Sequence, residues 1–390
     1  MKRFLFFFVF CLSALYAKPL QIDVHAKSAI LINMDTGAVL FEKNANLPSF
    51  PASITKIATA LYVLDVKHPN LSEIATVSAD SVRVFSKKEK FSAPYWLEFN
   101  GTKMGLAKGE EVSIESLLYG MMLVSGNDAA NVLAETLGGS IPGFISEMNQ
   151  YLASIGCLNT YFVNPHGLHQ PEHMTTAYDM GVIARKAMSN AKFREIVSTL
   201  DYLKPATNKH PEEHIKQYNH LQRPGRYFYP KAIGIKTGSY ASYAKKTLVA
   251  AAKQDERALI AVLLGCETEG DRYQDAISLF ETAFAEQKVR RLIFSGNESY
   301  NRSVEGAKSV LQAGLTKEIA IEYYPAEEPV NLKAQICWKI PALPIRKGDA
   351  VAQMQLVDGK GNIISSAPLI AKEEVKSSFF YTLKKILKIK

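Results

Sequence analysis

Three short stretches of this chain each set a hydroxyl near an amine or an amide. Pro51-Ala52-Ser53-Ile54-Thr55-Lys56 puts Ser53 three residues ahead of Lys56. Ser125-Gly126-Asn127 and Lys236-Thr237-Gly238 are the other two. A serine hydroxyl is a poor nucleophile until a base takes its proton, and a neutral lysine amine can do so. If the run from Ser53 is helical, Ser53 and Lys56 share one face with Cβ atoms ~5–6 Å apart. By itself, Ser-x-x-Lys describes many solvated helix turns. What raises the three above coincidence is their setting: the first at a helix start, the second after a helix, the third ending a strand.

The elements that must position them follow from local pattern. Ser28 to Asn44 reads as a β-hairpin, with Ala29–Met34 and Ala38–Phe41 flanking a turn at Asp35-Thr36-Gly37. The Ser53 helix carries Ile57, Ala58, Ala60, Leu61, Val63 and Leu64 as apolar positions. Residues 70–110 show no long period, and Lys87-Lys88-Glu89-Lys90 suggests a surface excursion. Ile114–Leu123 is an apolar helical pattern that runs into Ser125, and Asp128 is placed to cap a second helix, Ala129–Leu137. Phe144–Ala153 is helical in pattern, and Thr175 or Thr176 opens a helix through Met188. Consecutive strands are expected from Ala232 into Lys236-Thr237-Gly238-Ser239, over Lys246–Ala252 and over Ala258–Leu264. Asp271 opens an amphipathic helix to Phe284. The expected fold is α/β (α+β): an antiparallel sheet flanked by helices with a helical subdomain.

After about residue 287 the period changes. Val330, Leu332, Ala334, Ile336 and Trp338 alternate with polar residues, as in a half-buried strand. Val351–Val357 and Ile363-Ile364 flank the turn signal Asp358-Gly359-Lys360-Gly361-Asn362. Residues 288–371 are therefore expected to form a small all-β domain, beside a first domain over 18–287. In 372–390, Phe379, Phe380, Leu383, Ile386 and Leu387 fall at helical spacing among lysines, with Ser377 or Ser378 as cap. Such a basic amphipathic helix is too short to span a bilayer but suits its interface.

The N-terminus starts Met1-Lys2-Arg3, continues with an apolar run from Phe4 to Leu15, and reaches Tyr16-Ala17. That is the form of a secretory signal peptide, with cleavage expected after Ala17. Export removes Cys11 and leaves Cys157, Cys266 and Cys337, far apart and without zinc spacing, to be read as small apolar residues. The net charge of +8 is concentrated at the two ends, since 372–390 alone hold six lysines against two glutamates. The body lacks the basic face that nucleic-acid binding needs. His166, His169 and His173 cluster in one loop. Proline, glycine and the lack of a nearby cysteine argue there for structural or solvent-facing histidines rather than a metal site. No cofactor or metal is expected.

The triple resembles the Ser-x-x-Lys, Ser-x-Asn and Lys-Thr-Gly set of penicillin-binding proteins and class A β-lactamases, with Gly126 at the middle position. The likeness extends in order through Asp35-Thr36-Gly37, Leu117-Leu118-Tyr119-Gly120, Ser125-Gly126-Asn127-Asp128-Ala129, Asn164-Pro165-His166-Gly167-Leu168 and the Pro344-x-x-Lys347-Gly348-Asp349 stretch. The chain looks like the exported serine-type D-alanyl-D-alanine carboxypeptidases, the low-molecular-mass penicillin-binding proteins. That resemblance implies Ser53 as acylated nucleophile, Lys56 as base with its pKa lowered by Lys236, and Ser125 as proton relay. Asn127, Lys236, Thr237 and Gly238 would bind substrate, with Arg272 helping to read its carboxylate. Backbone N–H groups of Ser53 and Ser239 would stabilise the oxyanion. Ser239 stands where many family members carry a bulkier residue such as His, which bears on how fast the acyl group leaves. The implied partners are the peptidoglycan stem peptide, β-lactams as covalent inhibitors and a membrane surface, at the periplasmic face of the cytoplasmic membrane. The same triple would serve a class A β-lactamase, which needs a second-base glutamate not evident between Ser125 and Lys236. It would also serve a D,D-endopeptidase, which usually lacks the second domain, or a penicillin-binding sensor with idle chemistry.

Overall fold

The computed structural model describes residues 10–11, 18–85, 93–240, 245–329, 331–359 and 361–387. It divides into two compact units, 19–285 and 286–390, the latter together with 1–18.

In the first unit the hairpin forms strands β1 (Ser28–Asn33) and β2 (Val39–Lys43). The later strands are β3 (Ala232–Tyr240), β4 (Lys245–Gln254) and β5 (Arg257–Cys266). They make one antiparallel sheet in the order β2-β1-β5-β4-β3. The strand β5 is apolar over Ala258–Leu264 and buried on both faces, as expected of a strand covered on both sides. Strand β3, which carries Lys236-Thr237-Gly238, is an edge, with Lys236 opposite Val249 and Gly238 opposite Thr247.

The helices are α1 (Thr55–Tyr62), α2 (Ile114–Leu123), α3 (Asn127–Gly138), α4 (Ile141–Ser154), α5 (Ala177–Met188), α6 (Ala191–Ser198) and α7 (Glu269–Phe284). Thr176 caps α5 through the Asp179 N–H. A capping box between Thr268 and Asp271 starts α7 two residues before the expected position. Ser53 does not lie in an α-helix. It sits in a 3-10 turn, Ala52–Ile54, that runs into α1, and Ala52 holds a left-handed φ of 55°. Asp128 is not a cap either. The cap position of α3 is Gly126 with no side-chain bond; the Asp128 carboxylate accepts the Ala129 N–H of the first turn at 2.9 Å, and also the backbone N–H of Met104 at 2.7 Å, Gly105 at 2.9 Å and Leu106 at 3.1 Å. Helix α6, which buries Phe193, Ile196 and Val197 along one face, and the two-stranded Asp201–Lys204/Glu213–Lys216 pair are not among the expected elements.

Among the described residues the second unit is all-β apart from a 3-10 turn and its last helix. Strands β6 (Ser299–Arg302), β7 (Leu311–Leu315), β8 (Lys333–Trp338), β9 (Ala350–Val357) and β10 (Ile363–Ala371) form a sheet ordered β8-β9-β10-β7-β6. Val289–Phe294 pairs with Ile319–Tyr323 beside it. The alternation over 332–338 buries Leu332, Ala334 and Ile336. Residues Phe10 and Cys11 lie antiparallel to Ala334 and Lys333. The rest of the expected leader and the Lys87–Lys90 run are outside the described residues. Helix α8 (Phe379–Leu387) closes the chain, and its Phe379 and Phe380 are 75% and 78% exposed. Its side chains beyond Leu383 are also outside the described residues. Among the described residues no helix is long and apolar enough to cross a membrane. Cys157 and Cys266 are buried as read, while Cys337 is only half-buried.

Candidate active site

Two glycines set how closely the elements meet. A Cβ on Gly238 would lie 2.2 Å from Thr247 Oγ1 and 3.1 Å from both Pro51 O and Ser53 N. Edge strand β3 can therefore run against the Ser53 turn only without a side chain there. Thr247 Oγ1 donates to Pro51 O at 2.9 Å and ties β4 to the same turn. From the other side, Gly167 (φ 95°) presses on it: a Cβ there would fall 1.9 Å from Ala52 O. Gly126 is similarly constrained, since a Cβ would meet Asp128 Oδ1 at 3.0 Å and Met104 at 3.2 Å. A side chain in its place would press on the Asp128 carboxylate and on Met104.

Lys56 is fully buried, and its Nζ lies 3.0 Å from Ser53 Oγ, 2.7 Å from Asn127 Oδ1 and 2.7 Å from His166 O. Two of these partners can only accept, whereas the serine hydroxyl can donate. A neutral amine that gives its two protons to Asn127 and His166 therefore aims its lone pair at the Ser53 hydroxyl. Burial holds the Lys56 pKa well below the usual ammonium value, and the charge of Lys236 lowers it further, against a smaller opposing pull from Asp128. Burial also lowers Lys236, to about 7, and neighbouring Arg272 adds to this. Lys236 Nζ donates to Thr237 O at 3.0 Å.

Ser125 is buried and sits at a left-handed φ of 63°, between α2 and α3. Its carbonyl accepts from Thr102 Oγ1 at 2.8 Å, and Asn127 N donates to Thr102 O at 3.0 Å. Asp128 holds the neighbouring 104–106 stretch, so 102–106 is stitched to the α2–α3 corner along its length. Ser239 Oγ accepts from Lys246 Nζ at 2.9 Å.

Arg272 arrives on α7, which packs against β4 and β5. Its Nη1 donates to Gly238 O at 2.8 Å and reaches Thr247 O at 3.4 Å, and its Nη2 meets Glu269 Oε1 and Tyr273 OH, each at 3.2 Å. The structure thus brings Arg272 to the site through the backbone of β3 and β4, while its Nε is buried with no partner among the described residues.

The histidine loop is part of the site, which its sequence did not reveal. Two of its histidines are buried rather than solvent-facing. His166 accepts from Leu168 N at Nδ1, so its Nε2–H is the donor to Tyr95 O at 3.0 Å; burial lowers its pKa to about 3. Asn164 Oδ1 accepts from Gly167 N at 2.7 Å, and Thr59 Oγ1 donates to Pro165 O at 2.6 Å. Among the described residues no cluster of metal-binding side chains occurs.

The arrangement can carry out acyl transfer: a hydroxyl nucleophile, a buried amine base, a second serine, and an edge strand with a lysine for an anionic substrate end. The comparisons agree. The family profile described as D-alanyl-D-alanine carboxypeptidase matches residues 15–268. The chain is 31% identical over 364 residues to D-alanyl-D-alanine carboxypeptidase DacF of Bacillus subtilis, covering 92% of this chain and 88% of that one. It is 34% identical over 268 residues to DacB2 of Mycobacterium tuberculosis, covering 67% and 84%. Penicillin binding protein 5 from Haemophilus influenzae superposes with a TM-score of 0.61 at 25% identity, over 92% of this chain and 99% of that one. With the profile spanning more than half of its length, this chain belongs to the serine D-alanyl-D-alanine carboxypeptidases of peptidase family S11, the low-molecular-mass penicillin-binding proteins.

Proposed function

We propose that Ser53 is the residue acylated and that the stem pentapeptide of peptidoglycan is the substrate. The observation that carries this is the 3.0 Å approach of the buried Lys56 Nζ to Ser53 Oγ, with both other Nζ partners being pure acceptors. Neutral Lys56 takes the hydroxyl proton as Ser53 Oγ attacks the carbonyl of the terminal D-Ala-D-Ala bond. The backbone N–H groups of Ser53 and Ser239 receive the developing oxyanion; removing one such donor costs about 2.7–4 kcal/mol in comparable sites. As the C–N bond breaks, Ser125 passes its proton to the departing D-Ala amine and takes in return the proton held by Lys56, which is left neutral. Water then hydrolyses the ester, and Ser53 recovers its proton. Lys236 and Thr237 hold the free carboxylate, and the peptide lies along the open edge of β3. Arg272 supports this by fixing the Gly238 carbonyl and by keeping positive charge beside Lys236. A β-lactam enters the same path and stops at the acyl-enzyme.

We also propose that the chain is exported and works at the outer face of the cytoplasmic membrane, held peripherally by α8. The support is the leader-like N-terminus and the exposed Phe379 and Phe380 on a lysine-rich helix. Such a helix lies in the interface rather than crossing it.

The test is one assay pair on the chain lacking 1–17. A pentapeptide ending in D-Ala-D-Ala is expected to release D-Ala, and a fluorescent penicillin is expected to label Ser53. No label would defeat the reading. Label without D-Ala release would favour a sensor, and label that decays within seconds would favour a β-lactamase. Deleting 377–390 is expected to shift the exported protein from the membrane to the soluble fraction; retention on the membrane would remove α8 as the anchor.

A further inference from the structure

The mechanism so far leaves one buried polar chain unused. His173 is fully buried and stacks on Phe162 with ring centroids 4.8 Å apart. Its Nδ1 accepts from Val163 N at 3.1 Å. Burial holds its pKa well below the usual value. The ring is therefore neutral with its proton on Nε2, which lies 2.9 Å from Thr55 Oγ1. That hydroxyl, receiving from His173, donates its own proton to Ala52 O at 2.9 Å. The direction of every bond is fixed: Val163 N–H to His173, His173 to Thr55, Thr55 to Ala52 O.

Ala52 O ends this chain and also takes the Thr55 backbone N–H, so both its lone pairs are directed. It belongs to the peptide that joins Ala52 to Ser53. That peptide is planar, so the direction of the Ala52 carbonyl sets the direction of the Ser53 N–H. The same peptide follows the left-handed Ala52 and lies against the Cα of Gly167. A left-handed non-glycine residue persists only where its surroundings over-determine it.

We propose that Thr55 and His173 are positioning residues that aim the Ser53 N–H at the oxyanion. This deepens, and rests on, the assignment of that N–H as an oxyanion donor. His173 acts as the bolt: it ties the 162–168 loop to the Thr55 hydroxyl, and the hydroxyl fixes the peptide plane. Neither side chain touches substrate, and neither changes the proton held by Lys56.

Thr55→Val keeps shape and removes the hydroxyl. It is expected to slow acylation by a fluorescent penicillin by about 10–100-fold, short of the loss when an oxyanion donor is removed outright. The affinity of a peptide boronic acid, whose tetrahedral adduct places an oxygen in the oxyanion position, is expected to fall in parallel. The acid limb of the acylation pH profile is expected to stay in place, because Lys56 is untouched. Thr55→Ser restores the hydroxyl and is expected to restore both rate and boronate affinity. His173→Gln, whose amide N–H can stand in for Nε2–H, is expected to acylate much faster than His173→Leu; this pair carries the test should Thr55→Val fail to fold. An unlabelled wild type would overturn the function itself, and this inference with it. Folded Thr55→Val that acylates and binds boronate like the labelled wild type would overturn the positioning role alone. So would a shifted acid limb, which would mean that Thr55 acts through Lys56, or a Thr55→Ser variant that folds but stays slow.

Discussion

In residues 286–390 the fully buried side chains among those described are apolar, from Leu311 and Ile319 through Ile336, Met354 and Leu369 to Val375. In residues 19–285 the interior also holds Lys56, Lys236, Arg272, Asp128, Asn164, His166 and His173, each at most 6% exposed. Burying a charged or polar group costs several kcal/mol unless partners offset it. In the first unit most of these groups have partners: Lys56 has Asn127 and His166 O, Asp128 has four backbone N–H groups, and Asn164 has the N–H groups of His166 and Gly167. The difference separates two uses of an interior. One unit is assembled by area removed from water; the other accepts the cost of buried polar groups because acyl transfer needs a neutral amine and fixed donors.

The comparison predicts that a small change in the polar interior removes activity while the fold survives. Ser53→Ala and Lys56→Met should each lower D-Ala release by about 10⁴-fold or more, as removing a nucleophile or its base does elsewhere. Thermal melting should show a cooperative transition in both variants. Lys56→Met is expected to lower the melting temperature by a few degrees without abolishing the transition, because Asn127 Oδ1 and His166 O lose their buried donor. A Lys56→Met protein that releases D-Ala at near the wild-type rate would show that the base lies elsewhere.

One substitution made twice sharpens the contrast. At Gly238 a new methyl meets a β-branched threonine and two backbone atoms of the Ser53 turn. At Gly314, in β7, it meets only the far end of the Lys372 side chain at 2.4 Å, which can swing away. Gly238→Ala is expected to slow penicillin acylation by about 100-fold, the scale of misplacing reacting groups by an ångström. Gly314→Ala is expected to leave acylation unchanged and stability within about 0.5 kcal/mol. Equal acylation rates in the two variants would remove the argument that Gly238 sets the approach of β3 to Ser53.

Much of this architecture could be read beforehand, and the exceptions share a cause. Strands 232–266 and the alternation at 332–338 were legible because burial imposes a period on the sequence. The three motifs were legible because chemistry demands particular residue types in order. The turn at Ser53 was read as α-helix because nothing local announces a left-handed Ala52; it is imposed by Gly167 and Thr55 from outside and within the turn. The strands Asp201–Lys204 and Glu213–Lys216 pair only with each other and are mostly exposed, so they show little period. His166 and His173 were read as structural or solvent-facing, since a buried histidine and a wet one are the same letter. Their role depends on which carbonyl and which hydroxyl the fold brings within 3 Å.

Met354 tests the other interior. It is 0% exposed in β9, and Met354→Ala leaves a cavity in an apolar core. The cost is expected at about 2–5 kcal/mol in the stability of that unit. Hydrogen exchange should accelerate across β8, β9 and β10, while the penicillin acylation rate at 25 °C stays at the wild-type value. Slower acylation in this variant would show that the catalytic geometry depends on the second unit, and the division between the two interiors would fail.

The smallest effects lie in the electrostatics of the polar interior, where the sign is more telling than the size. Lys236 lowers the Lys56 pKa and Asp128 raises it, both as lesser causes than burial. With Lys56 as the proposed base, acylation requires its neutral form, so the rate falls as pH drops through the Lys56 pKa, and the profile of the second-order rate reports this limb in the free enzyme. Lys236→Ala removes a like charge, so Lys56 holds its proton to higher pH and the acid limb moves in the alkaline direction. Asp128→Asn removes an opposite charge, so the limb moves in the acid direction. It also turns an amide toward backbone N–H groups, so some melting temperature is lost. Each displacement is expected to be about one pH unit or less, since a unit corresponds to about 1.4 kcal/mol and burial supplies most of the shift. Lys236→Ala should in addition weaken binding of the D-Ala-D-Ala peptide, if Lys236 holds its carboxylate as proposed, whereas Asp128→Asn should not. Limbs moving in the same direction in both variants would mean that the titrating group is not Lys56, and the buried amine would lose its place as the base.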